Sequence, residues 1–390
     1  FLGGLVLGGA APHVGAGGGV VAHADQHDGV QRPVGAAIPA PVQAGAAGGW
    51  LGGGGPALGS SARLVRQSPG APPAEVALEV WGPGGPVELA GAGTYLVPPA
   101  SERVVLLEGA AAEQARIVVH LVAAGGLVGA YLQDSVLSGL VPLGVDYVVA
   151  GAPPATTQVV PGVAVEPVPD QGGTGDPDQL RAPGAVRLLA PADEALAQVW
   201  ALGPTGQTPV AEDVSLTPGE VVDVPLAGLP AGTWTLLVDA DAPVVAGAVT
   251  TRAGSVGAGG RAPVDRAWSA AVVPTDAAVL AVPAAADWRL SLAAPTPAGG
   301  RATAEVTVVE VDGTTRTASV ALEPGTSRAV GATELGLATD VRVAGLVVES
   351  TEPLAWAGGL ELVADDGSLL TVLGPAPVLR PPGQVTVRLD

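Results

Sequence analysis

The sequence predicts an all-β protein built from three tandem immunoglobulin-like β-sandwich units. Three observations carry that prediction. A phrase recurs three times: Arg63-Leu64-Val65-Arg66-Gln67-Ser68-Pro69, Arg187-Leu188-Leu189-Ala190-Pro191 and Arg289-Leu290-Ser291-Leu292-Ala293-Ala294-Pro295. After each phrase comes an alternating hairpin, at Val76 to Gly85, Ala197 to Gly206 and Ala304 to Gly313, and then a Pro/Gly corner. Turn signals recur at the spacing of a sandwich, roughly every 8–12 residues. The phrases start roughly 100–125 residues apart, which suits an array of small domains and not a short-period solenoid.

Residues 1–24 run from Phe1-Leu2-Gly3-Gly4-Leu5-Val6-Leu7 to Ala22-His23-Ala24. This apolar, small-residue stretch reads as the later part of a signal peptide with an Ala-x-Ala cleavage site, the alternatives being an uncleaved membrane anchor or a merely Gly-rich tail. The first two readings place the protein outside the cytoplasm, in the envelope or beyond. Residues 25–138 then hold a Gly/Ala/Pro-rich linker and the first unit. In Val76-Ala77-Leu78-Glu79-Val80-Trp81 apolar residues fall at every second position, as in a strand with one buried face. Gly82-Pro83-Gly84-Gly85 supplies the turn, since Pro presets φ and Gly permits φ > 0. Ala110 to Ala115 allows at most a turn of helix.

Residues 139–256 form the second unit, with strand Ala197 to Leu202, turn Gly203-Pro204-Thr205-Gly206, a corner at Pro218-Gly219 and a closing strand through Ala242-Pro243-Val244-Val245-Ala246-Gly247. Residues 257–390 form the third, with Glu305 to Val311, Asp312-Gly313, Pro324-Gly325 and Glu352 to Gly358 in the same roles. The apolar stretches Val145 to Val149 and Trp268 to Val273 are expected to open the unit that follows them, because a similar stretch precedes each phrase. Glu166 to Asp178 and Arg252 to Arg261 read as surface joints.

Composition restricts function more than it reveals it. The net charge of -20 argues against nucleic acid and anionic membrane as partners, since both require a basic surface. Cys and Lys are absent, which removes disulfides, thiolate metal sites, Schiff-base chemistry and the P-loop lysine. Gly254 to Gly260 is Gly-rich but lacks the strand-to-helix setting of a phosphate loop, so it reads as linker. His120 shares a strand face with Val118 and Val122, and no Gly-x-Ser-x-Gly elbow accompanies it. It reads as a satisfied structural histidine and not as a general base. His23, His27, Asp25 and Asp28 are the nearest approach to a metal cluster, and Asp170, Asp176 and Asp178 the nearest to a calcium loop. The latter lacks EF-hand spacing. Asp239 and Asp241 share one face of a strand end, where a pair of carboxylates suits either acid–base chemistry or a turn. Seven Trp would serve a sugar platform only if several shared an exposed face. Trp81 aligns with Leu202 and Val309, an exchange that core filling produces. No catalytic, cofactor-binding or metal-binding residue is therefore assigned, and no cofactor.

A further set of motifs comprises Leu132-Gln133-Asp134, Gly139 to Asp146 with Pro142, Gly144 and Val145, Val159-Val160-Pro161-Gly162 and Val186 to Pro191. In these the chain resembles a secreted actinobacterial family, domain of unknown function 5719. The resemblance implies an exported envelope protein, often encoded beside a membrane glycosyltransferase, and supplies no catalytic residues. The repeat is similar as well to the "leucine, Ala-Asn-Pro-Gly … Val-Ala" domains of bacterial surface proteins, with Gln67-Ser68-Pro69-Gly70 departing from the Asn of that pattern. The expectation is a non-enzymatic envelope scaffold or interaction protein. A glycan-binding or glycan-assembly partner is the alternative, and a carboxylate-based hydrolase a more distant one.

Overall fold

The computed structural model describes residues 46–377 apart from 92, 139–140, 167–183, 255–263, 284–285, 297–298, 339–340 and 365–366. The N-terminal segment, its His/Asp cluster, the Asp170–Asp178 stretch and all but the first residue of the Gly254–Gly260 stretch lie outside the described residues. Within them the chain is nearly all β, with sheets packed as sandwich-like units and one four-residue helix, α1 (Leu107–Ala110).

One pairing pattern occurs three times. The first repeat contains β1 (Gly48–Leu51), β2 (Ser60–Ser68), β3 (Ala74–Gly82), β4 (Gly85–Pro86), β5 (Thr94–Val97), β6 (Ser101–Leu106), β7 (Val118–Ala124), β8 (Gly129–Ser138) and β9 (Val141–Val149). Its front sheet runs β1-β7-β3-β4, with β5 also on β3, and its back sheet runs β6-β2-β8-β9. The second repeat contains β10 (Ala155–Val165), β11 (Gly184–Leu189), β12 (Ala195–Gly203), β13 (Gly206–Leu216), β14 (Val221–Pro225), β15 (Gly232–Ala253) and β16 (Val264–Ala270). Here one long strand, β15, does the work of β7 and β8: its first half pairs β10 and β12, its second half β11 and β16. The third repeat follows the second, with β17 (Thr275–Ala281), β18 (Asp287–Ala294), β19 (Ala302–Glu310), β20 (Thr315–Leu322), β21 (Thr326–Val330), β22 (Val343–Ala364) and β23 (Gly367–Leu373), plus a short β24 (Ala376–Pro377) on β17. In the first repeat the long strand is broken at Gly125, whose φ of 80° is one that residues with a side chain avoid.

Each repeat builds most of its core from its own two sheets. Alternation puts Val76, Leu78 and Val80 of β3 opposite Leu64 and Leu132 of the back sheet. In the second repeat Ala197, Val199 and Ala201 meet Val186 and Leu188, and in the third Val306 and Val308 meet Leu290, Leu292 and Trp356. Each such side chain contributes about 1.5–3 kcal/mol of burial if large.

Two sequence expectations change. The ladders place Arg66, Leu188 and Leu292 at one position, opposite Ala130, Ala246 and Trp356. Register is therefore counted back from the shared proline. Arg187 corresponds to Val65 and Ser291, not to Arg63 and Arg289. The second difference concerns the strands after each closing segment. Val145 to Val149 belongs to β9, which pairs with β8, and Trp268 to β16, which pairs with β15. Both extend the back sheet of the repeat before them instead of opening the next, because the second half of each long strand still has an open hydrogen-bonding edge there.

Candidate functional site: the junctions between repeats

The buried polar groups of the described chain concentrate where repeats meet. The larger apolar cluster at each junction follows one rule: the front sheet of one repeat packs on the back sheet of the next. Trp50, Trp81 and Val118 meet Leu189, Val221 and Val245. Val159, Leu202 and Leu237 meet Ala293 and Ala355. Trp81 and Leu202 are equivalent by ladder position, so the exchange noted in the sequence is interface filling as much as core filling.

Arg187 anchors the first junction. Side chains alternate along β11, so Leu188 enters the core and Arg187 points out of the sandwich. Its Nε and Nη2 donate to the two carboxylate oxygens of Asp223 at 2.8 and 2.9 Å, and Nη1 donates to the carbonyls of Gly54 and Ile117 in the first repeat. Its guanidinium also lies 5.0 Å from the Trp268 ring centroid. Burial raises the Asp223 pKa, but the charge and hydrogen bonds of Arg187, joined by the charges of Arg116 and Arg266, together outweigh it and hold that carboxyl below its ordinary value.

Around Trp268 all three repeats converge on the closing strands β9, β16 and β23. The Trp268 ring is 3% exposed and sits in the core of the first repeat, although its strand pairs in the second. Asp134 of β8 accepts the indole N–H at 2.8 Å and Arg266 Nη1 at 2.9 Å. Asp146 of β9 accepts the backbone N–H of Trp268 at 2.6 Å and the hydroxyl of Thr371 at 2.8 Å, so one carboxylate joins three repeats. Asp265 of β16 accepts the N–H of Leu370 at 2.6 Å. Burial pushes Asp146 well above the carboxylate range, against the pull of its donors, and pushes Asp265 up to about 6.

Glycines allow this approach. Gly144, at φ 105°, would place a Cβ 2.7 Å from the backbone nitrogen of Arg266, and a Cβ on Gly53 would lie 2.8 Å from the Trp268 ring. Gly162 sits at the bulge in β10, 3.0 Å from Val372 by the same measure. The motifs that stand out in the sequence thus share one place. Asp134, Gly144, Asp146, Gly162 and Arg187 all lie at junctions.

The residues that the sequence offers for chemistry are dispersed and partnered. His120 Nδ1 lies 2.8 Å from Glu79, and its ring stacks on Trp50 at 4.0 Å, as a satisfied structural histidine would. Asp239 accepts the Thr157 hydroxyl and Asp241 the Leu196 N–H, so the two carboxylates serve different partners. Trp81, Trp268 and Trp356 are buried. Sequence reasoning places Asp146 and Arg66 in motifs without giving either a role, and passes over Asp265. Arg66 is 1% exposed, stacks over Tyr95 at 4.4 Å and leaves Nε and Nη1 without a partner among the described residues. A signal for it exists in the repeats: Arg stands where the other two have Leu.

The model of a family of unknown function (DUF5719) matches residues 7–333. The chain belongs to that family. No curated protein matches it. The matched residues span the first two repeats and the third as far as β21, short of Ala355, Leu370 and Thr371, and the family description attaches no reaction to them.

Proposed function

We propose that this DUF5719 protein is an exported cell-envelope scaffold, that it acts by interaction and not by turnover, and that its three repeats are immunoglobulin-like sandwiches. The observation that carries this reading is the use made of its buried charge. Arg187, Asp223, Asp134, Arg266, Asp146 and Asp265 are consumed in holding sandwiches at fixed angles. A catalyst keeps such groups at a cleft, poised toward substrate. A scaffold uses them for geometry. The acidic, Lys-free surface suits a soluble spacer outside the membrane, and the motifs that carry the family resemblance fall on the joints that set its shape.

The test is cross-linking in intact cells followed by capture of the tagged full chain from the envelope fraction. Envelope polypeptides should be recovered with the wild-type chain and depleted with Arg187→Ala, which loosens the first junction. Recovery of the protein from the cytosol, or turnover of envelope glycan by the pure protein, would overturn the reading.

A further inference from the structure

The two junctions are not equally filled. In the first, the Trp50 indole stacks on His120 and on Trp81 (5.2 Å) and packs with Leu189, Val221 and Val245 of the second repeat. The ladders put Val159 in the place of Trp50 and Leu237 in the place of His120 at the second junction. Even the single bridge is repeated: Gly151 N–H donates to Trp50 O at 2.9 Å, and Val272 N–H to Val159 O at 2.8 Å. The facing residues shrink too, with Ala293 and Ala355 where the first junction has Leu189 and Val245. Trp200 packs at the second junction against Val159, Leu237, Ala293 and Ala355, and beside it remains a groove of about 480 Å³, floored by Val159 and Leu237 and walled by Pro153, Pro274 and Pro295. Asp239 stands in the groove where the first repeat has Val122. It is exposed, and its hydrogen bond from Thr157 engages only Oδ1.

We infer that this groove binds the tryptophan side chain of a partner polypeptide, with a basic residue beside it paired to Asp239. The molecule's own first junction supplies the template, since an indole occupies the matching position there. Proline walls keep the groove preformed, which lowers the ordering cost of binding. A carboxylate at its edge, on a chain of charge -20, selects a cationic neighbour. This deepens the scaffold reading and rests on it only for the partner being a polypeptide.

The probe is the peptide acetyl-Ala-Trp-Arg-Ala-amide carrying 5-fluorotryptophan, titrated against the full chain and followed by ¹⁹F resonance shift. Saturable binding is expected, and Val159→Trp, which restores the internal indole, should abolish it. Asp239→Asn should weaken it about threefold, as for an exposed ion pair, and so should replacing the peptide Arg by Ala. Asp239→Asn is an exposed substitution and decides the matter if Val159→Trp melts early. No saturation, or binding indifferent to both substitutions, would overturn the assignment. The envelope capture experiment is independent: partners retained by a Val159→Trp chain would leave the scaffold standing and remove the groove from it.

Discussion

At the residue scale, three buried charges behave differently because their partners differ. Arg187 is fully engaged, and removing it strands Asp223. Arg187→Ala should cost about 3–5 kcal/mol in denaturant unfolding, and Arg187→Lys should recover little, since an ammonium cannot form the bidentate pair and reach two carbonyls as well. Arg66 is the reverse case. Burial lowers its pKa, and the aromatic face of Tyr95 compensates in part. Arg66→Leu installs the residue found in the other repeats and should stabilise by about 1–4 kcal/mol, seen as a higher midpoint with an unchanged slope. Asp265 sets a pH dependence. Its folded pKa, near 6, exceeds the unfolded value, so the folded state holds its proton more tightly and stability falls as pH rises from about 4 to 6. Asp146 acts in the same direction. Asp223, held low, contributes stability that is lost only on acidification below its ordinary value. The melting temperature should therefore rise between pH 7 and pH 5, and Asp265→Asn should flatten that rise. A melting temperature that falls steadily over this interval would contradict the assignment.

At the element scale, strand identity was legible and strand allegiance was not. Alternation in Val76 to Trp81 and the Gly/Pro turns located β3, β12 and β19 because period 2 is a local property of chain and sheet. Nothing local tells β9 or β16 which neighbour offers an open edge, since pairing depends on residues far away in sequence. The Arg187 phrase misled for a related reason. An Arg-Leu pair looks the same whether Arg faces solvent or a junction, and only the ladder reveals the shift. The junction itself was half visible. Asp134, Gly144 and Asp146 stood out as motifs, but their meaning required Trp268, more than a hundred residues on. Two glycines separate the effects: Gly144→Ala meets both an unfavourable φ and the backbone of β16, whereas Gly206, at φ 136°, has no neighbour within 4 Å. Gly206→Ala should cost about 1–3 kcal/mol of backbone strain. Gly144→Ala should cost distinctly more and should also shift the fluorescence of Trp268.

At the scale of the whole molecule, the three repeats form one object. Apolar contacts and shared carboxylates couple each junction, so unfolding one repeat exposes charges buried in another. Calorimetry should show a single dominant transition, and three independent transitions would refute strong coupling. A fragment running from Ala155 to Ala270 keeps every ladder of the second repeat yet exposes Trp268 and Leu189. It should be less stable than the same repeat in the full chain and prone to associate.

Trp268 also imposes an order in time. It lies 122 residues beyond Asp146, the carboxylate that receives its backbone N–H. As the chain emerges, every strand of the first repeat is available long before the ring that fills the end of its core. The first repeat must therefore wait, collapsed and incompletely sealed, until most of the second has appeared. Its final consolidation coincides with that of its neighbour. A chain threaded outward in extended form would reach its locked state late and abruptly, after most of its length had already crossed.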